Sequence, residues 1–166
     1  MILSENADNV ATIAAAGAIP SLVQLLKATS AAEVQLSAAG ALHNLAQNAD
    51  NQVMIAAAGS IPPLVQLLGT ISPSGVQRNA AATLMILSAD ADNQVTIAAA
   101  GAIPPLVLLL RPGSDDLLKE VATRALETLG HSNTKNRAAV AVAGASAGVD
   151  VLEKMERLQE RLQLGI

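Results

Sequence analysis

The sequence contains no phenylalanine, tyrosine or tryptophan, and no cysteine. Without cysteine there are no disulfides and no thiolate metal sites, and nothing indicates a redox compartment. Without aromatic rings the chain lacks the residues that usually anchor interfaces or stack on bases and sugars. Basic residues are in deficit: the formal net charge is −4 over 166 residues. That balance argues against nucleic acid, which calls for a basic patch to displace phosphate counterions. No basic segment followed by an apolar core opens the chain, so no cleaved secretory signal is expected.

What remains is an interior built from aliphatic side chains. Half of the chain is hydrophobic (51%), so alanine, leucine, valine and isoleucine carry the packing, and the small ones favour closely stacked helices. Residues 93–110 form an uncharged run of 18 residues, enough to raise a membrane-spanning reading. Gly101, Pro104 and Pro105 interrupt it, and the same punctuation recurs elsewhere in the chain. Two short buried helices joined by a turn account for it better.

That recurrence decides the fold class. Asp8-Asn9 returns as Asp50-Asn51 and Asp92-Asn93, Gly17 as Gly59 and Gly101, Pro20 as Pro62 and Pro104, and Ser30 as Ser72 and Ser114, each at a step of 42 residues. A weaker fourth copy begins at Asn136 and Gly144, at a step of 43. Met1-Ile2-Leu3-Ser4 matches Met85-Ile86-Leu87-Ser88 two periods on, so the chain is expected to open in the last turn of an incomplete repeat.

Each period reads as three helices. Asp8, Asp50 and Asp92 are placed to cap a short first helix, which the three glycines end. Pro20, Pro62 and Pro104 suit the first turn of a second. Ser30, Ser72 and Ser114 are expected to cap a longer third, with Glu33 completing a capping box in the first copy. Val34, Ala38, Ala41, Leu42 and Leu45 form its buried stripe, repeated as Val76, Ala80, Thr83, Leu84 and Leu87, and as Leu118, Ala122, Ala125, Leu126 and Leu129.

A period of 42 divided in this way resembles the armadillo repeat. The resemblance rests on residues 9–46, above all Ala16-Gly17-Ala18-Ile19-Pro20-Ser21-Leu22-Val23-Gln24-Leu25-Leu26 and its counterparts from Gly59 and Gly101. It covers nearly all of residues 5–132. It implies an all-α, right-handed solenoid: the end of a repeat at 1–5, repeats at 6–48, 49–90 and 91–132, and a degenerate repeat with a C-terminal helix at 133–166. In that tail Val151, Leu152, Met155, Leu158 and Leu162 supply an apolar stripe while Glu153, Glu156, Arg157, Glu160 and Arg161 face away. Such a helix serves either as a C-terminal cap or as a partner-binding or self-associating element.

The sequence offers little chemistry. His43 and His131 lie 88 residues apart, about two repeats, too far to share a substrate in a stack of helices ~10 Å apart. No phosphate-binding glycine loop and no H-E-x-x-H occurs. Asp115-Asp116 follows Ser114 at the expected start of a helix, where negative charge suits the dipole better than catalysis or metal binding. The reading is of a non-enzyme without cofactor or metal.

The resemblance further implies that the third helices line a concave groove that holds a protein or extended peptide. The groove positions are then Ser37, Gly40 and Asn44, Asn79, Ala82 and Ile86, and Val121, Arg124 and Thr128. Peptide-carrying armadillo proteins place a tryptophan on this face and an asparagine four residues later, whose amide donates to and accepts from a peptide backbone. Here the tryptophan positions hold Gly40, Ala82 and Arg124, and the asparagine positions Asn44, Ile86 and Thr128. Arg124 suits a ligand carboxylate or an intrachain pair with Glu120 or Glu127. Ile86 is either a contact for an apolar side chain or ordinary surface. The alternative to groove binding is a structural segment of a longer array that associates end to end. The resemblance implies a place in cytoplasm or nucleus; the acidic balance and the interrupted apolar run add the expectation of no nucleic acid and no membrane.

Overall fold

The computed structural model describes residues 12, 14, 16–27, 30–69 and 71–165. The expectations for Met1 to Ser4, Asp8 and Asn9 lie outside these. Among the described residues every regular element is a helix: α1 (Ala18–Leu25), α2 (Ala32–Leu45), α3 (Ala49–Ala57), α4 (Ile61–Gln66), α5 (Ser74–Leu87), α6 (Ala91–Ala99), α7 (Ile103–Leu108), α8 (Asp116–His131), α9 (Thr134–Ala147) and α10 (Val151–Leu164).

The repeat is a right-handed winding of short, short and long helices, and the long third helices stack in series, α2 on α5, α5 on α8 and α8 on α10. Alanine allows that stacking: Ala38, Ala39, Ala80, Ala81, Ala122 and Ala125 are all 2% exposed or less. Leu42, Leu84 and Leu126, at matching positions of the three third helices, belong to the core and are each essentially inaccessible. The stripe expected on α5 and α8 is wholly buried. On α2 it is not: Val34 is 38% exposed, against 1% for Val76 and 2% for Leu118. Among the described residues no third helix precedes α2, so nothing there covers the position that α2 and α5 cover for their successors.

The glycines end the first helices as expected. Gly59 and Gly101 adopt φ of 74° and 83°, and their N–H groups donate to Ala56 O and Ala98 O at 3.0 Å. A left-handed residue costs glycine nothing and any other residue about 1–2 kcal/mol. Pro62 and Pro104 occupy the first turns of α4 and α7, where a missing N–H is harmless.

The expected caps fall elsewhere. Asp50 and Asp92 sit inside the first turns of α3 and α6, and the capping residues are Asn48 and Asp90, whose side chains accept from Asn51 N and Asn93 N at 3.1 and 2.9 Å. The invariant asparagine of the Asp-Asn pair has a different task. Asn51 Nδ2 donates to Leu45 O at 3.0 Å and Asn93 Nδ2 to Leu87 O at 3.1 Å, closing the end of the preceding third helix. Ser30, Ser72 and Ser114 stop one residue short of their caps. Those positions belong to Ala31, Pro73 and Asp115, and only Asp115 caps with its side chain, accepting from Leu118 N at 2.7 Å. No capping box forms on α2. Gln35 and Gln77 instead reach back to Lys27 O and Gly69 O at 2.9 and 2.8 Å, tying each third helix to the turn before it.

The fourth repeat starts in register and then departs. Asn133 caps α9 by accepting from Asn136 N, and Asn136 Nδ2 donates to Leu129 O at 3.0 Å, as in the inner repeats. Gly144, expected to end this helix, lies within it, and the end falls at Gly148 with φ 66°. No proline follows Gly144 to start a second helix, so the first runs on. The α10 helix then takes the place of a third helix against α8, burying Val151, Met155 and Leu158. Leu152 and Leu162 of the expected stripe remain 42% and 55% exposed.

Candidate partner-binding groove

The groove positions lie on α2, α5 and α8, beside the buried stripe of each helix. Ser37 and Asn44 are exposed, and Gly40 is half-buried. Asn79, Ile86, Val121, Arg124 and Thr128 are half-buried, and Ile86 and Val121 pack against the core. Ala82 is buried, at 8%. Ile86 therefore presents only part of an aliphatic side chain.

Two of these residues meet across repeats. Asn79 Nδ2 donates to Leu36 O of the preceding third helix at 3.3 Å, and a Cβ added at Gly40 would lie 3.1 Å from that nitrogen. Position 40, which the resemblance matches to a peptide-binding tryptophan, is thus occupied from the side by the Asn79 amide. A large residue at 40 would have to displace it.

The hydroxyls of Ser37 and Thr128 donate to the carbonyls of Glu33 and Arg124, at 2.9 and 2.8 Å along their own helices. Arg124 Nη2 lies 3.4 Å from Glu120 Oε1, so the intrachain pair is formed, while its Nε is buried without a partner. A guanidinium with one edge paired at this distance keeps donors for a second acceptor. The other carboxylate considered for it, Glu127, is engaged elsewhere: Gln159 Nε2 of α10 donates to Glu127 Oε1.

A feature missed in the sequence lies at the carboxyl ends of α5 and α8. Ser88, Ala89, Gln94, Glu127, Thr128 and His131 line a polar trough of about 330 Å³. Gln94 lies in it with its amide held by Ser88 O at 2.9 Å. A clue was present in the 42-residue repeat, in which Ala89 and His131 occupy matching positions beyond the groove residues. Its walls, however, come from the next repeat and were not legible without the fold.

His43 is half-buried, its Nδ1 inaccessible and without a partner. Desolvation by burial holds its pKa below the usual histidine value. His131 is exposed at the end of α8. Asp115 and Asp116 are a cap and a surface pair with Lys119 at 3.0 Å. Among the described residues no group of three or more potential ligands surrounds a metal position, and no helix is long and apolar enough to cross a membrane.

The sequence profile of the armadillo/beta-catenin-like repeat matches three times in succession, over residues 6–47, 48–89 and 90–129. The chain belongs to the armadillo repeat family. Among solved structures, a computationally designed armadillo repeat protein for modular peptide recognition superposes with a TM-score of 0.79 at 28% identity, covering 94% of this chain and 68% of its own. A designed armadillo repeat protein in complex with the peptide (KR)4 gives 0.77 at 28% identity, over 94% and 66%. An engineered protein reaches 34% identity with a TM-score of 0.75, and the chain spans little more than half of it (56%). No curated protein matches the sequence.

Proposed function

We propose that this armadillo chain holds an extended segment of another protein along the concave face of α2, α5 and α8. The observation that carries the reading is the unbroken row of third helices, on which Asn44 of α2, Arg124 of α8 and the polar trough between the ends of α5 and α8 offer side-chain hydrogen bonds. A designed relative of this fold is described in complex with a peptide, which supports the same use here. The Asn79–Leu36 contact and the filled Gly40 position argue for a mode of capture without a tryptophan ladder.

The test is capture of partners from a lysate by the chain and by an Asn44→Ala/Arg124→Ala variant, read by mass spectrometry with helicity checked by circular dichroism. The reading expects captured proteins to be lost with the variant at unchanged helicity. Equal capture by both would overturn it.

A second reading, end-to-end self-association, is favoured by Val34 and Leu162, which are 38% and 55% exposed at opposite ends of the described stack. Sedimentation at rising concentration separates it: a strictly monomeric chain would exclude it.

A further inference from the structure

Away from the third helices, α7 and α9 enclose an open groove of about 580 Å³. Pro104 and Leu108, one turn apart on α7, form one wall, and Ala138, Ala139 and Val142 contribute to the other. No residue of α2, α5, α8 or α10 lines it. The lining is almost wholly aliphatic. Its one charged side chain is Arg111, exposed, with Nη2 donating to Ala147 O at 3.4 Å.

The groove coincides with departures from the repeat. Leu108 stands where the first two repeats carry Gln24 and Gln66, both exposed. With Asn136 aligned to Asn93 and Asn51, Val142 replaces Ala99 and Ala57, and is 67% exposed. Ala138 replaces Val95 and Val53, and Ala139 replaces Thr96 and Met54. Two positions have become more apolar and two have become smaller. The extension of α9 past Gly144 to Ala147 lengthens the wall.

We propose that this groove is a second docking surface, which takes one amphipathic helix of a partner protein bearing a carboxylate at the end that reaches Arg111. The chemistry selects a helix. An extended peptide laid in an aliphatic trough would bury backbone N–H and C=O groups with nothing to pair them, whereas a helix satisfies its own. Residues 138–147 span ~14 Å at 1.5 Å per residue, enough for two to three turns and for aliphatic side chains at i, i+4 and i+7. Charge sets the polarity of docking: a guanidinium with one donor committed retains the fork geometry that a carboxylate matches.

The test pans the whole chain against displayed helical peptides of roughly four turns. These vary aliphatic residues at i, i+4 and i+7 and carry Glu or Lys in either terminal turn. Enrichment of Glu-bearing members is expected. Leu108→Gln, which restores the residue of the inner repeats and so leaves the fold intact, should weaken the selected peptides by at least about tenfold. Arg111→Ala should remove the preference for Glu over Lys while leaving aliphatic selection in place. No enrichment over an unrelated scaffold, or undiminished binding by Leu108→Gln, would overturn the proposal. Sedimentation of the chain alone decides the remaining occupant: self-association abolished by Leu108→Gln would assign the groove to a second copy and overturn the partner helix.

Discussion

The inner repeats and the fourth repeat start with the same device and finish differently. In both, an asparagine three residues after the first helix's cap closes the preceding third helix, as Asn51, Asn93 and Asn136 do. The inner units then turn at a left-handed glycine and begin a proline-led second helix. The fourth keeps its glycine, at Gly144, for another purpose: a Cβ there would lie 2.8 Å from Val149 O and 2.9 Å from Val151 Cγ2. The same residue type serves as a helix stop in one place and as clearance for a crossing chain in the other. The repeat is therefore held by its backbone-closing amides, and the glycine is reused once the proline is gone.

The difference can be broken hardest in the core. Leu84→Ala, in the fully buried middle of the stack, should cost about 2–5 kcal/mol in denaturant unfolding. Leu158→Ala on α10, already 7% exposed, should fall at the low end of that range. Hydrogen exchange should show it loosening α9 and α10 before the inner repeats, because repeat arrays contact only their neighbours.

The two glycine roles separate next. Gly144→Ala forces backbone against a methyl group and should cost about 1–3 kcal/mol. Gly101→Ala, with nothing within 4 Å of an added Cβ, should cost only the left-handed strain of about 1–2 kcal/mol. Unfolding midpoints of both variants check the order. At the next level, Asp115→Ala should lose about 1 kcal/mol as a true cap, and Ser114→Ala should be nearly silent.

The smallest effect is one of pH. Burial depresses the pKa of His43 in the folded chain, so the unfolded chain binds the proton first. The contribution of a neutral His43 is present above pH 6.5 and is lost as pH falls from there through the folded pKa. A His43→Gln variant should show a flatter stability profile over that window, measured by denaturant unfolding at several pH values.

Much of the fold was legible because periodicity repeats its evidence. Three copies of the third-helix stripe, three glycines and three prolines fix the helix order without any contact information. The caps were less legible, since Ser, Asp and Asn all suit helix starts and a shift of one or two residues separates Ser114 from Asp115 and Asp50 from Asn48. Sequence alone also could not reveal that Asn79 reaches across 43 residues to Leu36, or that Glu127 meets Gln159 on the last helix. Those contacts join separate repeats, and local patterns carry no sign of them. The α7–α9 groove was written in the departures from the repeat, at Leu108 and Val142, which acquire meaning only once the helices stand side by side.

On the proposed function, the face of the third helices is the working surface. Hydrogen exchange on the chain bound to a captured partner tests it most directly. Protection should be gained at residues 37–44, 79–86 and 121–128. Protection confined to α7 and α9, or to the ends of the stack, would contradict it.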